Sequence, residues 1–540
     1  MTIHLSIVIF APLALALLGA FLPRAWTRAL AVGGTLIPLA YAIVMVADFE
    51  KGGGLQYVTD QSWISELGIR YSLGVDGLNL FLILLTALLW TVATVAAALR
   101  EWDRARLFFF HMALGETAVL GAFCAQDLAL FIVFFDLMLV PFYFLIGGWG
   151  EGRRRVAATT KFVIFTLVGS LLMLAAAVAL AVLSTPHGGE LSFALDDLQQ
   201  RTLSEGSQDW IFLLFALAFL VKAPAFPVHG WMPDTYRATP IPVLVLLSGV
   251  LSKVGVYGFL RIVLPTMPDG AGQFQTLMIA VAVVSILYGS VLAFTQDSAR
   301  LVLGYSSIAQ LGFVVLGIFA LDIEGKGAQG ALFQMVNHGL VVAPAFLIVG
   351  VLAARAGGTD SLRAMGGMAL RAPVLAALFL IVTFALLAMP GSANFAGELL
   401  ILFGAFEDQF AWGVVASLGV ALAAVYAIRM FIRAMHNPAG PEAESRDFTR
   451  GELATVAPLV LVIVALGVYP NFVVDRTETA TVASAHEAAV HRCLANGGGI
   501  EGAYFSRSPG APAYAGVFDN GCRLGRRELI DFTIETERGP

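Results

Sequence analysis

Two proline-containing stretches interrupt segments that are otherwise apolar enough to cross a membrane. The first is LVKAPAFP, residues 220–227, and the second is AMPGSANFAGE, residues 388–398. Each places a charged residue beside the interruption, Lys222 in the first and Glu398 in the second. Such charges are costly in lipid unless they are paired or hydrated, and matched interrupted helices in two halves of a membrane protein point to an ion path. These stretches therefore predict a transporter of small cations.

The composition of the whole chain agrees with this interpretation. Of 540 residues, 58% are hydrophobic and only 13% are charged, and the mean hydropathy is +0.82. A typical soluble protein carries about 25% charged residues. We therefore predict an all-α polytopic membrane protein whose main surroundings are the lipid bilayer. The sequence lacks the basic patch that nucleic acid needs, so we expect no nucleic-acid partner.

Runs of about 20 apolar residues predict about 14 membrane spans. The first run has no basic segment before it, so we interpret it as a retained span rather than a signal peptide. Numbered in chain order, the predicted spans are residues 4–22, 29–48, 77–99, 107–125, 127–147, 160–184, 210–226, 243–264, 273–294, 301–320, 329–353, 373–403, 411–434 and 453–472.

Basic residues in the connections alternate between the two sides of the membrane. Arginines follow the odd-numbered spans, for example Arg153, Arg154 and Arg155 after span 5, whereas the connection after span 6 is acidic. The positive-inside rule places the odd-numbered connections in the cytoplasm. We therefore predict a multi-pass protein of the bacterial plasma membrane with both termini on the extracytoplasmic side.

The two interrupted spans are numbers 7 and 12, and we predict that both are discontinuous helices. Because their numbers differ by five, they run in opposite directions, as an inverted repeat requires. Spans 4–8 and spans 9–13 would form the two repeats. The predicted units are residues 1–106, 107–265, 270–435, 450–474 and an extracytoplasmic tail, 475–540. Two unrelated proline kinks are the alternative, since membrane helices tolerate them.

Ionisable residues inside the predicted spans are candidates for a proton relay. An approaching or retreating opposite charge changes how readily a buried lysine holds its proton, and Asp136 with Lys222 is the natural pair. The alternatives are a structural ion pair and, for His338, an ordinary hydrogen-bonded core histidine. The candidate relay residues are Asp136, Lys222, Lys253, His338, Glu398 and Glu116.

Several of these residues lie in motifs that resemble the antiporter-like subunits of respiratory complex I. The similarity covers about residues 70–470. The stretches that carry it are FIVFFDLMLVPFYFLIGGWG (131–150), LVKAPAFPVHGWMPDTYRATPIP (220–242), SGVLSKVGVYGFLR (248–261), YGSVLAFTQDSARLVLGYSSIAQLGF (288–313), NHGLVVAPAFLIVG (337–350) and residues 390–402.

The resemblance implies one proton channel in the chain. It assigns an initial carboxylate–lysine pair to Asp136 and Lys222, and a following lysine to Lys253. His338 then stands on a central polar axis that ends at Glu398. A glutamate at that last position is typical of the M-type subunits, whereas L-type and N-type subunits usually have lysine there.

Three positions depart from the family pattern. Asp136 stands where glutamate is usual, so its carboxylate reaches less far toward Lys222. Gln310 replaces a histidine and cannot titrate, and Ala299 replaces a lysine.

We expect the redox chemistry to lie on other chains. The sequence has no CxxC, iron–sulfur or flavin motif, so we predict no cofactor bound by this chain. NADH, FMN, iron–sulfur clusters and quinone would belong to partner subunits. By the resemblance, this chain is a non-redox subunit of an NADH–quinone oxidoreductase, beside L-type and N-type neighbours.

The region after residue 475 is polar and lies outside the resemblance. Cys493 and Cys522 fall in it, and two thiols in an oxidising space predict a disulfide. A flexible tail is the alternative. We expect no metal site in the chain.

Two other functions stay open on the sequence. One is a subunit of a multi-subunit cation/proton antiporter or a membrane-bound hydrogenase, against which Glu398 argues. The other is a spacer that docks subunits without conducting protons, which a Lys222→Met variant would distinguish.

Overall fold

A computed structural model describes residues 4–441, 443–495, 499–500 and 518–519. Helices dominate it. Within these residues, 11 helices are long and apolar enough to cross a membrane. The prediction of a polytopic helical membrane protein is confirmed, whereas the number of spans and the inverted repeat stay predictions.

The N-terminal part contains a hairpin that the all-α prediction left out. The hairpin strands pair antiparallel, with Thr59 opposite Leu73, between the second and third apolar helices. The elements are α1 (Leu5–Phe21), α2 (Thr27–Asp48), β1 (Gln56–Ile64), β2 (Ile69–Val75) and α3 (Leu80–Ala98).

The next part covers predicted spans 4–8. Its helices are α4 (Ala105–Cys124), α5 (Leu128–Leu137), α6 (Leu139–Trp149), α7 (Arg155–Ser184), α8 (Leu195–Gln200), α9 (Glu205–Lys222), α10 (Met232–Ala238), α11 (Ile241–Leu246), α12 (Ser252–Gly258), α13 (Leu264–Thr266) and α14 (Pro268–Gln273). Two π-helical turns, Leu247–Leu251 and Phe259–Val263, join α11, α12 and α13 into one continuous helix.

The remaining part covers predicted spans 9–14 and the start of the predicted tail. Its elements are α15 (Gln275–Thr295), α16 (Ala299–Ile318), α17 (Lys326–Arg355), α18 (Pro373–Leu386), α19 (Ala393–Asp408), α20 (Phe410–Met435), α21 (Arg450–Val468), α22 (Asn471–Ala495), β3 (Gly499–Ile500) and β4 (Phe518–Asp519).

Both predicted helix interruptions are present. Helix α9 ends at Lys222, and α18 ends at Leu386 before α19 begins. Proline ends a helix because it lacks an N–H and clashes with the preceding turn. Side chains satisfy the freed carbonyls: the Trp231 indole donates to Val221 O (2.9 Å), and the Asn394 amide donates to Ala385 O (2.9 Å). The prediction that spans 7 and 12 are discontinuous is confirmed.

The predicted tail from residue 475 begins as a packed helix. Alanine-rich sequence favours helix even where polar residues interrupt it, and α22 continues to Ala495. The helix rests on the rest of the chain: the Ser484 hydroxyl donates to Leu260 O, and His491 Nδ1 lies 2.5 Å from Asp269 Oδ1. Cys522 and the Cys493 side chain lie outside the described residues, so the disulfide stays a prediction.

Candidate functional site

Lys253 and His338 meet in the centre of the helical core. Lys253 is fully buried on α12, and its Nζ lies 2.7 Å from Nδ1 of His338 on α17. The same Nζ donates to Ser248 O at 2.6 Å. Ser248 belongs to the π-helical turn before α12, a wide turn that often marks functional sites. The structure thus brings together two of the predicted relay residues.

Glycines set the close approach of these two helices. A Cβ at Gly339 would lie 2.7 Å from Gly249 O, a separation that real side chains do not adopt. Gly339 directly follows His338, and Gly249 lies about one turn before Lys253. Small residues let membrane helices pack at backbone distance. Substituting Gly339 would therefore separate the lysine from the histidine.

Lys222 is buried at the end of α9, but its ammonium group does not contact its predicted partner, Asp136. Its Nζ lies 4.5 Å from the centroid of the Phe135 ring, a cation–π contact. Within the described residues, Asp136 and Lys222 form no ion pair within 4.0 Å, and Oδ1 of Asp136 is buried without a hydrogen-bond partner. The two residues are near neighbours with an open gap between their charges.

A third glycine brings Lys222 to the helix of Lys253. A Cβ at Gly255 would lie 2.8 Å from Phe219 O and 3.1 Å from Cβ of Lys222. Helices α9 and α12 therefore pack at backbone distance where the first lysine sits. This packing places Lys222 against α12, the helix that carries Lys253.

Glu398 ends a chain of buried amides. Gln310 donates to Oε1 of Glu398 at 2.8 Å, and Gln334 donates to the Gln310 carbonyl oxygen at 2.6 Å. All three side chains are buried. Gln334 lies one helical turn before His338 on α17, so the amides extend from the histidine toward the carboxylate.

A second polar connection runs beside the first. The hydroxyls of Ser248 and Ser307 lie 3.2 Å apart. Ser307 is one turn before Gln310 on α16, and Ser248 already accepts from Lys253. The core therefore places polar groups along two routes from Lys253 toward the surroundings of Glu398, although no hydrogen bond joins His338 to Gln334 or Ser307 to Gln310 among the described residues.

The sequence reasoning missed Gln334, Ser248 and Ser307. All the predicted relay residues are charged residues or histidine, and the polar character of these three inside apolar helices is the signal that points to them. In contrast, Glu116 is fully buried on α4, and neither of its carboxylate oxygens has a hydrogen-bond partner in the described part of the chain. The structure does not join Glu116 to the other candidates.

The arrangement suits the transfer of protons better than the binding of a metal. The described residues contain no group of three or more His, Cys, Asp and Glu side chains that could hold a metal ion. They contain a row of titratable and hydrogen-bonding side chains that crosses an apolar interior. Histidine and lysine in such a row can pass protons between neighbours.

Comparison with known proteins identifies the family. The family model described as NADH:quinone oxidoreductase/Mrp antiporter, TM, matches residues 125–423. A protein from Rhodobacter capsulatus named NADH-quinone oxidoreductase subunit M is 36% identical over 493 residues, which cover 87% of this chain and 94% of that protein. The protein of the same name from Escherichia coli is 36% identical over 432 residues, covering 78% and 84%.

A solved structure has the same fold. A chain of respiratory complex I from Thermus thermophilus with bound NADH superposes with a TM-score of 0.81 at 32% sequence identity. The match covers 90% of this chain and 99% of that one. The chain therefore belongs to the NADH:quinone oxidoreductase/Mrp antiporter transmembrane family and is an antiporter-like membrane subunit similar to subunit M.

Proposed function

We propose that this chain carries protons across the bacterial plasma membrane as the M-type subunit of an NADH–quinone oxidoreductase. The proposal rests on a row of buried polar residues, which runs from Lys253 through His338, Gln334 and Gln310 to Glu398. Burying so many polar groups in an apolar core is costly. A proton path requires these buried polar groups, whereas a passive scaffold does not.

The proposed mechanism is electrostatic. A change of charge in a neighbouring subunit alters the separation of Asp136 from Lys222, which is open in this structure. Lys222 is then more or less able to hold its proton. Lys253, across the glycine contact at Gly255, responds in turn, and a proton moves toward Glu398.

The amide side chains on this path cannot themselves bind and release protons. Gln310 and Gln334 can hold and orient hydrogen bonds, but a proton must cross their position on water or by rearrangement of their hydrogen bonds. His338 offers a titratable nitrogen on the Lys253 side. Its Nε2 is buried without a hydrogen-bond partner in the described part of the chain. When Nδ1 accepts from Lys253, Nε2 carries the ring proton, so the ring can take a proton at Nδ1 and release one from Nε2.

The rest of the proposal concerns the complex. L-type and N-type subunits would be the neighbours, and NADH, FMN, iron–sulfur clusters and quinone would bind to other subunits. The chain would act as a translocase without redox chemistry of its own. Asp136, Lys222, Lys253, His338 and Glu398 would form the relay, with Glu116 as an additional candidate on α4.

A subunit of a cation/proton antiporter is the second candidate, because the family description includes Mrp antiporters. The relatives named subunit M favour the quinone oxidoreductase, as does glutamate rather than lysine at position 398. A spacer that does not conduct is the third candidate, and it predicts that the relay residues can be replaced without functional loss.

Replacing Lys222 by methionine in the assembled complex tests the proposal. The change removes the charge and keeps the length of the side chain. We expect the number of protons pumped per NADH oxidised to fall. The control is Lys51→Met, the same change in an exposed lysine paired with Asp475. Wild-type pumping with normal electron transfer in a complex that contains the Lys222→Met chain would overturn the conducting role.

A further inference from the structure

A basic cavity lies at the start of α7, away from the buried relay. Its volume is about 490 Å³, which is ample for a small charged group. The connection after span 5 and the short helix α10 line it. Loop charges predict that this side faces the cytoplasm.

The charges that line this cavity do not cancel. Its lining contains Arg153, Arg154, Arg155, Lys161 and Arg237 against Glu151 and Asp234, so five positive charges minus two negative charges leave a formal excess of three. Both acids are already engaged. Asp234 pairs with Lys161 at 2.9 Å, and Glu151 pairs with Arg300, which is outside the lining, at 3.0 Å.

Three arginines therefore have no protein anion to bind. The side chains of Arg153, Arg154 and Arg237 form no hydrogen bond or ion pair with any residue that the structure describes, and all three are exposed. Arginine presents planar N–H donors that suit the oxygens of phosphate. The cavity thus combines room, unsatisfied donors and positive charge.

An apolar surface continues from the cavity along α7. Ile164, Val168 and Leu171 are 56%, 51% and 57% exposed, and they follow each other at helical spacing on one side of the helix. From Val156, which is 65% exposed, to Leu171 the helix rises about 22 Å. That length exceeds the hydrocarbon of one leaflet, about 15 Å.

We propose that the cavity binds a phosphate group, and that its occupant is the headgroup of an anionic phospholipid. The three arginines would hold the phosphate, and the acyl chains would lie against the exposed face of α7. Basic pockets between membrane helices on the cytoplasmic side bind such headgroups. The site lies outside the row of buried polar residues and does not depend on the proposed function.

Photo-crosslinking in the purified complex tests this site. The complex is placed in bilayers of neutral lipid with a trace of phosphatidylglycerol that carries a diazirine in its acyl chain, and the labelled residues are mapped. We expect labelling on residues 156–171 of the wild-type chain. With Arg153, Arg154 and Arg237 all changed to glutamine, that labelling should fall about tenfold or more.

The matched control changes Arg100, Arg371 and Arg446 to glutamine. These arginines are exposed, lie on the same predicted side and do not line the cavity, so labelling should stay at the wild-type level. Equal labelling in the two triple variants would overturn the proposal. So would equal labelling by a diazirine phosphatidylcholine, or no label on α7 in the wild type.

A competition experiment distinguishes the two sources of phosphate. Inorganic phosphate is compared with chloride at matched ionic strength in the wild-type complex. If phosphate displaces the lipid no better than chloride, the lipid headgroup is the occupant; if it displaces the lipid much better, free phosphate is the preferred ligand and the lipid assignment is wrong. The Arg237→Gln single variant and the wild-type salt dependence replace the triple variant if the latter fails to assemble.

Discussion

Nζ of Lys253 lies 2.7 Å from Nδ1 of His338, and both side chains are buried. Two positive charges at this separation would repel by about 6 kcal/mol at an effective dielectric constant of about 20. The pair therefore holds at most one positive charge. A proton that arrives at one member must leave it or displace a proton from the other, so the pair can hand protons on without holding two.

The first prediction concerns this pair. Lys253→Met removes the charge and leaves His338 without its Nδ1 partner. We expect the rate of proton pumping driven by quinone reduction to fall by about tenfold or more. A positioned proton carrier accelerates proton transfer by at least that factor. His338→Gln keeps an acceptor for Lys253 but cannot titrate, so a smaller loss should follow.

Activity of the assembled complex and the proton-to-NADH ratio are the measurements for this pair. His187→Gln in an exposed connection is the control. A Lys253→Met complex that pumps at the wild-type ratio would contradict the relay, whatever its rate of electron transfer.

The second prediction concerns the open gap between Asp136 and Lys222. Asp136→Glu adds one methylene and should let the carboxylate reach the lysine, so pumping should stay within about twofold of the wild type. Asp136→Asn keeps the size of the side chain and removes its charge, and the coupled rate should fall by about tenfold. Asp196→Asn, on the short helix α8, serves as the control.

The ratio of protons pumped to NADH oxidised, measured for the Glu and Asn variants, distinguishes the effect of charge at position 136 from the effect of side-chain packing. If the Asn and Glu variants lose activity equally, the role of Asp136 lies in the fit of its side chain. If neither loses activity, the first pair of the relay is misassigned.

The sequence predicted the membrane class and both interrupted helices because proline beside a charge is rare in lipid-spanning segments. Lys253, His338 and Glu398 were identifiable because ionisable residues are rare within lipid-spanning segments. The structure adds the contacts between them, which depend on the packing of Gly249 against Gly339. That packing is a property of two distant segments, and no local pattern encodes which glycines meet.

Other features could not be predicted from local patterns. The hairpin of β1 and β2 has a polar, irregular sequence, and its strands are held by pairing with each other. Helix α22 has too few apolar residues to mark a span, and contacts such as Ser484 with Leu260 O hold it in place. The π-helical turns around Lys253 likewise follow from packing within the bundle.

The third prediction concerns the amide chain. Gln310→Leu removes the donor to Glu398 and the acceptor of Gln334, leaving buried polar groups unsatisfied at about 1–3 kcal/mol each. We expect reduced pumping and lower thermal stability of the complex. Gln310→His restores a titratable ring at the same place and should retain pumping.

The control for the amide chain is Gln296→Leu, at the partly exposed end of α15. Pumping by the Leu variant at the wild-type level would show that protons pass Glu398 without the help of Gln310.

The fourth prediction concerns a buried ion pair between Asp76, just before α3, and Arg261, in the π-helical turn after α12. Arg261 donates to both carboxylate oxygens of Asp76, at 2.6 and 2.7 Å, and the side chains are only 8% and 14% exposed. Asp76→Ala would leave a buried guanidinium without its partner. The free energy of unfolding should fall by about 3–5 kcal/mol.

A second ion pair of the same kind provides the comparison. Arg70 also contacts both oxygens of Asp60, but these side chains are 44% and 37% exposed, so Asp60→Ala should cost only about 0–1 kcal/mol. Denaturant-induced loss of the chain from the purified complex measures both variants. Because the two pairs share their chemistry and differ in burial, equal destabilisation would show that burial does not set the strength of the Asp76–Arg261 contact.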